Sequence, residues 1–179
     1  MDFAHAYLED VRALARTYKG LADGAVAQVD DAAFATPLGG EENSIALVVK
    51  HMAGNLRSRW TDFFTSDGEK PDRGRDGEFE LADVDGRAAL LAAWEDGWAT
   101  FLGVLDGLTP DDFDRPVTIR GEPYTVIRAV QRGVAHACYH TGQIVLLAKH
   151  FAGPEWRTLS IPRGQSRTYD PAAAHPPGR

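Results

Sequence analysis

The chain has 179 residues, 44% of them hydrophobic, which is enough for one globular domain with its own core. Its 26 acidic and 19 basic side chains give a net charge of -7, which repels a phosphate backbone and argues against a nucleic-acid partner. A single cysteine excludes an intrachain disulfide, and the lack of a leader peptide or of roughly 18 continuous apolar residues favours a cytoplasmic protein without a membrane partner.

The first two predicted elements are helices. Apolar residues recur at steps of three and four over about residues 6–29, which predicts a long amphipathic helix with one face on the core. Residues 36–40 contain proline and two glycines and break that pattern. A second helix begins after an N-cap at Asn43 or Ser44. His51 lies on it, at a position where the pattern predicts an apolar side chain.

The next segment, about residues 66–80, is dense in charge and rich in glycine and proline, and predicts a long surface crossover. A third helix follows over about residues 87–105. Its stripe of large apolar residues includes Trp94 and Trp98, for which we predict core packing. Residues 117–119 and 124–126 flank a Gly-Glu-Pro turn and predict a small β-hairpin, the only sheet expected.

A fourth helix is predicted over about residues 125–151, ending before Gly153-Pro154. The chain beyond it is predicted to be irregular, and residues 171–179 to be a disordered tail. Together these elements predict an all-α fold, a four-helix bundle in a single domain over residues 1–170. In such a bundle, side chains from facing helices can meet around a metal.

The strongest functional signal is the pair His136 and His140 on the fourth helix. They are four residues apart, so both rings lie on one face, one turn apart, where they can share a transition metal. The glutamate of the H-E-x-x-H motif is absent, so the pair has no general base of its own. His51 is the candidate third ligand; the competing interpretation is an ordinary core histidine. Three histidines would leave one coordination position open and place no carboxylate beside the ion.

Other residues near these histidines have open roles. Asn55 follows His51 by one turn and Gln143 follows His140 by three residues, so each is a candidate to orient a ligand or contact substrate. The competing interpretation is an ordinary polar residue beside the core. Cys138 points away from the histidine pair, which argues against a fourth ligand and favours packing. We predict that the remaining histidines, His5, His150 and His175, lie on the surface.

Several motifs together resemble the DinB-like (YfiT-like) metalloenzyme superfamily, in a branch classed as a domain of unknown function. The resemblance spans about residues 40–169 and is carried by residues 43–45, 50–55, 58–63, 67–71, 136–143 and 156–166. It implies a bundle of up-down-down-up connectivity, with the long crossover between the second and third helices. It also implies one divalent transition metal, zinc or nickel, held by His51, His136 and His140, and a homodimer.

Related branches include enzymes that use low-molecular-weight thiols, bacillithiol or mycothiol, to attack electrophiles or isomerise an adduct. The resemblance therefore implies a metal-dependent enzyme with a small-molecule substrate, either a thiol-dependent S-transferase or a related metal-water hydrolase. The missing carboxylate favours the thiol, because a bound thiolate needs no general base. The alternative is a non-enzymatic, stress-related metal-binding bundle or dimer. Structural zinc usually has four protein ligands, which counts against it.

The arginines of the crossover and of the tail motif at residues 160–166 are candidates to hold an anionic group of the substrate. The alternative is that they form ion pairs fastening the crossover and the tail to the helices. The arginines concerned are Arg59, Arg73, Arg75 and Arg163.

Overall fold

The computed structural model describes residues 2–170, so the predicted disordered tail and His175 lie outside the described residues. Within this range the fold is mainly helical, with one two-stranded antiparallel sheet, as predicted; it has five α-helices where four were expected. The helices are α1 (Phe3–Val26), α2 (Asp31–Ala35), α3 (Ile45–Trp60), α4 (Arg87–Gly107) and α5 (Val126–Ala152). The strands are β1 (Pro116–Ile119) and β2 (Glu122–Thr125). No described helix combines the length and the apolar character needed to cross a membrane.

Short polar side chains set where the first helices begin. Asp2 accepts a hydrogen bond from the backbone N–H of His5, and Asp30 accepts one from that of Ala33. Ser44 rather than Asn43 is the N-cap of α3, since its hydroxyl accepts from the N–H of Leu47. At the other end of the chain, α5 stops at Gly153, whose φ of +50° ends the helical path. The first helix ends at Val26, about three residues earlier than predicted, and the short helix α2 that follows it was not predicted.

The long helices pack in pairs around the core. α3 packs against α4 and α1 against α5, while α1 also contacts α4 and α3 also contacts α5. Trp94 and Trp98 are both buried, as predicted. Gly97 lets α3 and α4 approach closely, because a Cβ there would lie 3.1 Å from the carbonyl oxygen of Ala53.

The crossover between α3 and α4 covers residues 61–86 and includes a 3-10 turn, Asp76–Phe79. It is fastened to α3: the Ser58 hydroxyl donates to the carbonyl of Gly68, and Lys70 Nζ donates to the carbonyl of Ser58. Most of its residues are exposed, as expected for a surface crossover. Glu78 is an exception, with only 7% of its surface exposed. The crossover therefore brings a buried carboxylate to the side of α3.

Candidate metal centre

Three histidines from two helices meet inside the molecule. His51 comes from the middle of α3, and His136 and His140 come from successive turns of α5. One ring nitrogen from each lies within 4.8 Å of the others, and the Nε2 atoms of His51 and His136 are 3.4 Å apart. His51 and His140 are buried and His136 is half-buried. The structure thus brings together the three residues that the sequence selected.

The Nδ1 atoms of two of these rings are bound on their outer side. His51 Nδ1 lies 2.8 Å from Glu78 Oε2, and His140 Nδ1 lies 2.7 Å from Gln143 Oε1. A carboxylate oxygen and an amide oxygen accept hydrogen bonds, so each Nδ1 carries the proton and each Nε2 keeps a lone pair. Both lone pairs are on the ring nitrogen that can take part in the cluster.

One of these lone pairs has no partner among the described residues. His140 Nε2 is buried and forms no hydrogen bond. Leaving a polar atom buried and unpaired costs free energy, and a shared transition metal would satisfy all three imidazoles at once. The donor set and the orphaned nitrogen therefore fit a divalent metal with three histidine ligands.

The electrostatic surroundings keep two of the rings neutral. Burial, reinforced by the nearby His140 and His51, lowers the pKa of His136 to about 3. Burial also lowers the pKa of His140 to about 4, although its hydrogen bond to Gln143 opposes the shift. At neutral pH both imidazoles are unprotonated, which is the state that binds a metal.

Glu78 corrects one sequence expectation, that no carboxylate lies beside the centre. Besides contacting His51, it accepts hydrogen bonds from Arg73, with Nε to Oε1 at 2.7 Å and Nη2 to Oε2 at 2.8 Å. Burial alone would raise the pKa of Glu78, but Arg73 and His51 outweigh it and hold the pKa below its usual value. Glu78 is therefore an ionised residue that orients the ring of His51, as carboxylates commonly do for metal-binding histidines.

Sequence reasoning missed Glu78 because it lies in a charged, irregular segment without a hydrophobic period. The neighbouring Phe79 was the available signal, since an aromatic residue in such a segment indicates a buried contact. Its ring stacks on that of His51, with the centroids 4.8 Å apart.

A cavity of about 220 Å³ opens beside the histidines. Asn55 and Gln143, both singled out from the sequence, lie in its wall. Among the described residues, no aspartate or glutamate lines it; Glu78 contacts His51 from outside this wall. Four arginines do line the cavity: Arg59, Arg75, Arg120 and Arg132. The cavity is therefore cationic in a chain that is acidic as a whole.

The remaining sequence candidates lie elsewhere. Cys138 is exposed, so the expected packing role is wrong, and it lines a separate groove with Tyr18. Arg73 is buried in ion pairs with Glu78 and Glu69, which is the alternative considered for it. Arg163 is exposed and does not line the cavity. His5 and His150 are exposed, as predicted.

Comparison with known families matches residues 2–165 to the family described as "Protein of unknown function (DUF1572)". No curated protein and no solved structure matches the chain. The family description names no activity, so the chemistry has to be inferred from the histidines and the cavity.

Proposed function

The chain belongs to the DUF1572 family of proteins of unknown function, and we propose that it is a metal-dependent enzyme of the DinB-like (YfiT-like) superfamily. The reaction we propose is transfer of a low-molecular-weight thiol to a small electrophile. Hydrolysis at the same centre is its close variant. The observation that carries the proposal is the convergence of His51, His136 and His140 at the wall of a cavity that no described carboxylate lines.

We propose that α1, α3, α4 and α5 form a four-helix bundle with up-down-down-up connectivity. Each of these helices contacts two of the others, which supports a closed bundle. The crossover of residues 61–86 is long enough to return the chain to the end of α3 at which α4 can start parallel to it.

His51, His136 and His140 would hold one divalent transition metal, zinc or nickel. When bound, such an ion acts as a Lewis acid that lowers the pKa of a thiol or water in its open position. Glu78 and Gln143 fix the rings of His51 and His140, which limits the reorganisation needed on binding. The arginines of the cavity favour an anionic group, so they would stabilise a thiolate more than the neutral thiol.

The cavity wall favours a thiol over water as the nucleophile. Attack by water generally needs a base to take its proton, and among the described residues lining the cavity there is no carboxylate for that role. A thiol, whose pKa is about 8.5 when free, would give its proton to solvent once its pKa is lowered. The thiolate sulfur would then bond to the electrophilic carbon while the leaving group, such as chloride, departs with its bonding electrons. Glu78 does not change this preference, because it is bound to Arg73 and His51 outside the wall.

The rival proposal is a non-enzymatic metal-binding bundle or dimer whose histidines are structural. A closed structural site normally has four protein ligands. Among the described residues, the group that could hold an ion has three members, and its half-buried member, His136, lies in the cavity wall. The three-ligand centre supports the enzyme.

The test is a thiol and electrophile panel with the purified protein. Bacillithiol, mycothiol and glutathione are each incubated with monochlorobimane, and the thiol adduct is followed by fluorescence. We expect adduct formation above the uncatalysed rate with at least one thiol. It should be lost in His140→Ala and retained in His150→Ala, an exposed histidine on the same helix. Equal rates in the parent and His140→Ala would refute the proposal.

A further inference from the structure

One arginine in the cavity wall has an unused hydrogen-bond donor. Arg59 is 8% exposed, and its Nη2 lies 3.1 Å from Glu69 Oε2. Its Nη1 is buried and has no hydrogen-bond partner among the described residues. A buried guanidinium nitrogen without an acceptor is costly, and in the wall of a cavity a bound ligand can supply the acceptor.

The charges around Arg59 are not balanced within the described part of the protein. Glu69, the carboxylate that pairs with Arg59, also pairs at 3.1 Å with Arg73 and with Arg120. Glu69 is thus shared by three guanidinium groups, of which Arg73 also pairs with Glu78. Arg132 adds a further positive charge to the cavity wall. Burial lowers the pKa of Arg59 to about 10, with Glu69 opposing the shift and the neighbouring arginines adding to it. Arg59 still carries its charge at neutral pH.

Part of the wall is apolar. Trp60, Phe63 and Phe79 line the same cavity as the arginines. Arg75 lies over the ring of Phe79, with its Cζ 5.5 Å from the ring centroid. A ligand that complements both the arginines and the aromatic side chains has an anionic group and an apolar body.

We propose that this cavity binds a small organic anion, whose carboxylate or phosphate group accepts a hydrogen bond from Arg59 Nη1 and whose apolar part lies against Trp60 and Phe63. That this anion is the substrate of the histidine centre rests on the proposed function, because the arginines and the histidines line the same cavity. The binding itself depends on the arginines and requires no metal.

The test uses isothermal titration calorimetry on the full-length protein as purified, with benzoate and phenyl phosphate as probes and neutral benzamide as the control ligand. We expect saturable binding of at least one anion, weakening as salt is added, and much weaker binding of benzamide. Arg59→Gln should raise the dissociation constant about tenfold or more, since a charge-assisted hydrogen bond is lost. Arg132→Gln, at an exposed position in the wall, should raise it a few-fold.

The matched control is Arg57→Gln. Arg57 lies on the same helix as Arg59, but its side chain is 70% exposed and does not line the cavity. The dissociation constant of Arg57→Gln for the anion should equal that of the parent. Should Arg59→Gln fail to fold, Arg75→Gln and Arg132→Gln carry the test, because both positions are exposed.

Equal binding of benzamide and benzoate, no binding of either anion, or affinities unchanged by the cavity substitutions would overturn the proposal. Titration of His140→Ala separates the two proposals. Anion binding that persists in His140→Ala supports the arginine site even if the metal centre fails. Binding lost in His140→Ala but unchanged in Arg59→Gln would assign the anion to a metal and overturn the arginine site.

Discussion

At the scale of single residues, the orientation of His51 depends on successive hydrogen bonds among three side chains. Arg73 holds Glu78 through two hydrogen bonds, and Glu78 holds the ring of His51 through Nδ1. The polar atoms of Arg73, Glu78 and His51 are paired, and this pairing offsets the free-energy cost of burying the charges. The His51 ring is therefore fixed before any ligand arrives.

Glu78→Gln keeps the size of the side chain and removes its charge, so we expect weaker metal binding by about tenfold or more. The amide is also a poorer partner for the buried Arg73. Zinc affinity measured by competition with a chromophoric chelator gives the comparison. Glu80→Gln, at an exposed position two residues later, is the control and should bind as the parent does. An unchanged affinity in Glu78→Gln would show that Glu78 does not support the centre.

The lowered pKa values of His136 and His140 predict how metal-free protein responds to acid. Each has a pKa near 6.5 when unfolded, but about 3 for His136 and about 4 for His140 when folded. At pH values between the folded and the unfolded pKa of each histidine, the unfolded chain binds protons that the folded chain does not. Stability is therefore fully present above pH 6.5 and falls as the pH drops towards 4, by on the order of 1 kcal/mol per pH unit for each histidine.

Urea denaturation with a chelator present, at pH values from 7.5 down to 5, measures this dependence. The double variant His136→Gln/His140→Gln should show a shallower decline, because it lacks both titrating groups. A parent whose stability stays level or rises on acidification over this range would contradict the assigned pKa directions.

At the scale of elements, the approach of α5 to α3 depends on Gly133. A Cβ at Gly133 would lie 2.5 Å from Cζ2 of Trp60, a residue that also lines the cavity. Gly133→Ala should therefore destabilise the fold by about 1–3 kcal/mol, because the buried indole has to shift. Gly142, on the same helix, has nothing within 4 Å of a built Cβ. Gly142→Ala should stabilise by about 0.5–1 kcal/mol through helix propensity alone.

Urea denaturation of the two variants beside the parent tests this pair. Changes of opposite sign in the free energy of unfolding are the informative result, since both substitutions add the same methyl group to the same helix. Stabilisation by both substitutions would show that α5 does not press against Trp60 as described.

The elements also show what periodicity can and cannot predict. The long helices, the hairpin and the stop at Gly153 followed from spacing and turn chemistry, which act locally. The short helix α2 and the burial of Glu78 did not. Glu78 lies in a segment without a hydrophobic period, and its partners Arg73 and His51 are fixed by tertiary contacts. The adjacent Phe79 indicates a buried contact in this segment, but it neighbours Glu78 and the exposed Glu80 alike and does not tell which of them is buried.

At the scale of the whole molecule, the candidate centre joins two distant parts of the chain, since His51 lies on α3 and its partners lie on α5. The spacing of His136 and His140 predicted two of its three members, and a histidine in an apolar pattern predicted the third, His51. The cationic wall was only partly predictable. Arg59 and Arg75 were selected from the sequence, whereas Arg120 comes from the hairpin turn and Arg132 from α5, and only the fold brings them together.

An ion that binds the folded chain and not the unfolded one stabilises the fold by mass action, by about 2.7 kcal/mol at a hundredfold excess over the dissociation constant. For a chain of this size we expect a chelator to lower Tm by about 5–10 °C. Differential scanning fluorimetry with and without the chelator measures the shift. In His140→Ala the shift should vanish, and in His150→Ala it should remain. A chelator without effect on the parent would contradict a metal that stabilises the fold.

The most direct measurement is the metal content of the purified protein and of His51→Ala, by inductively coupled plasma mass spectrometry after dialysis against zinc or nickel. We expect one divalent ion per chain in the parent and in His150→Ala, and loss of that ion in His51→Ala. Full stoichiometry in His51→Ala would contradict this expectation, because it would remove α3 from the centre.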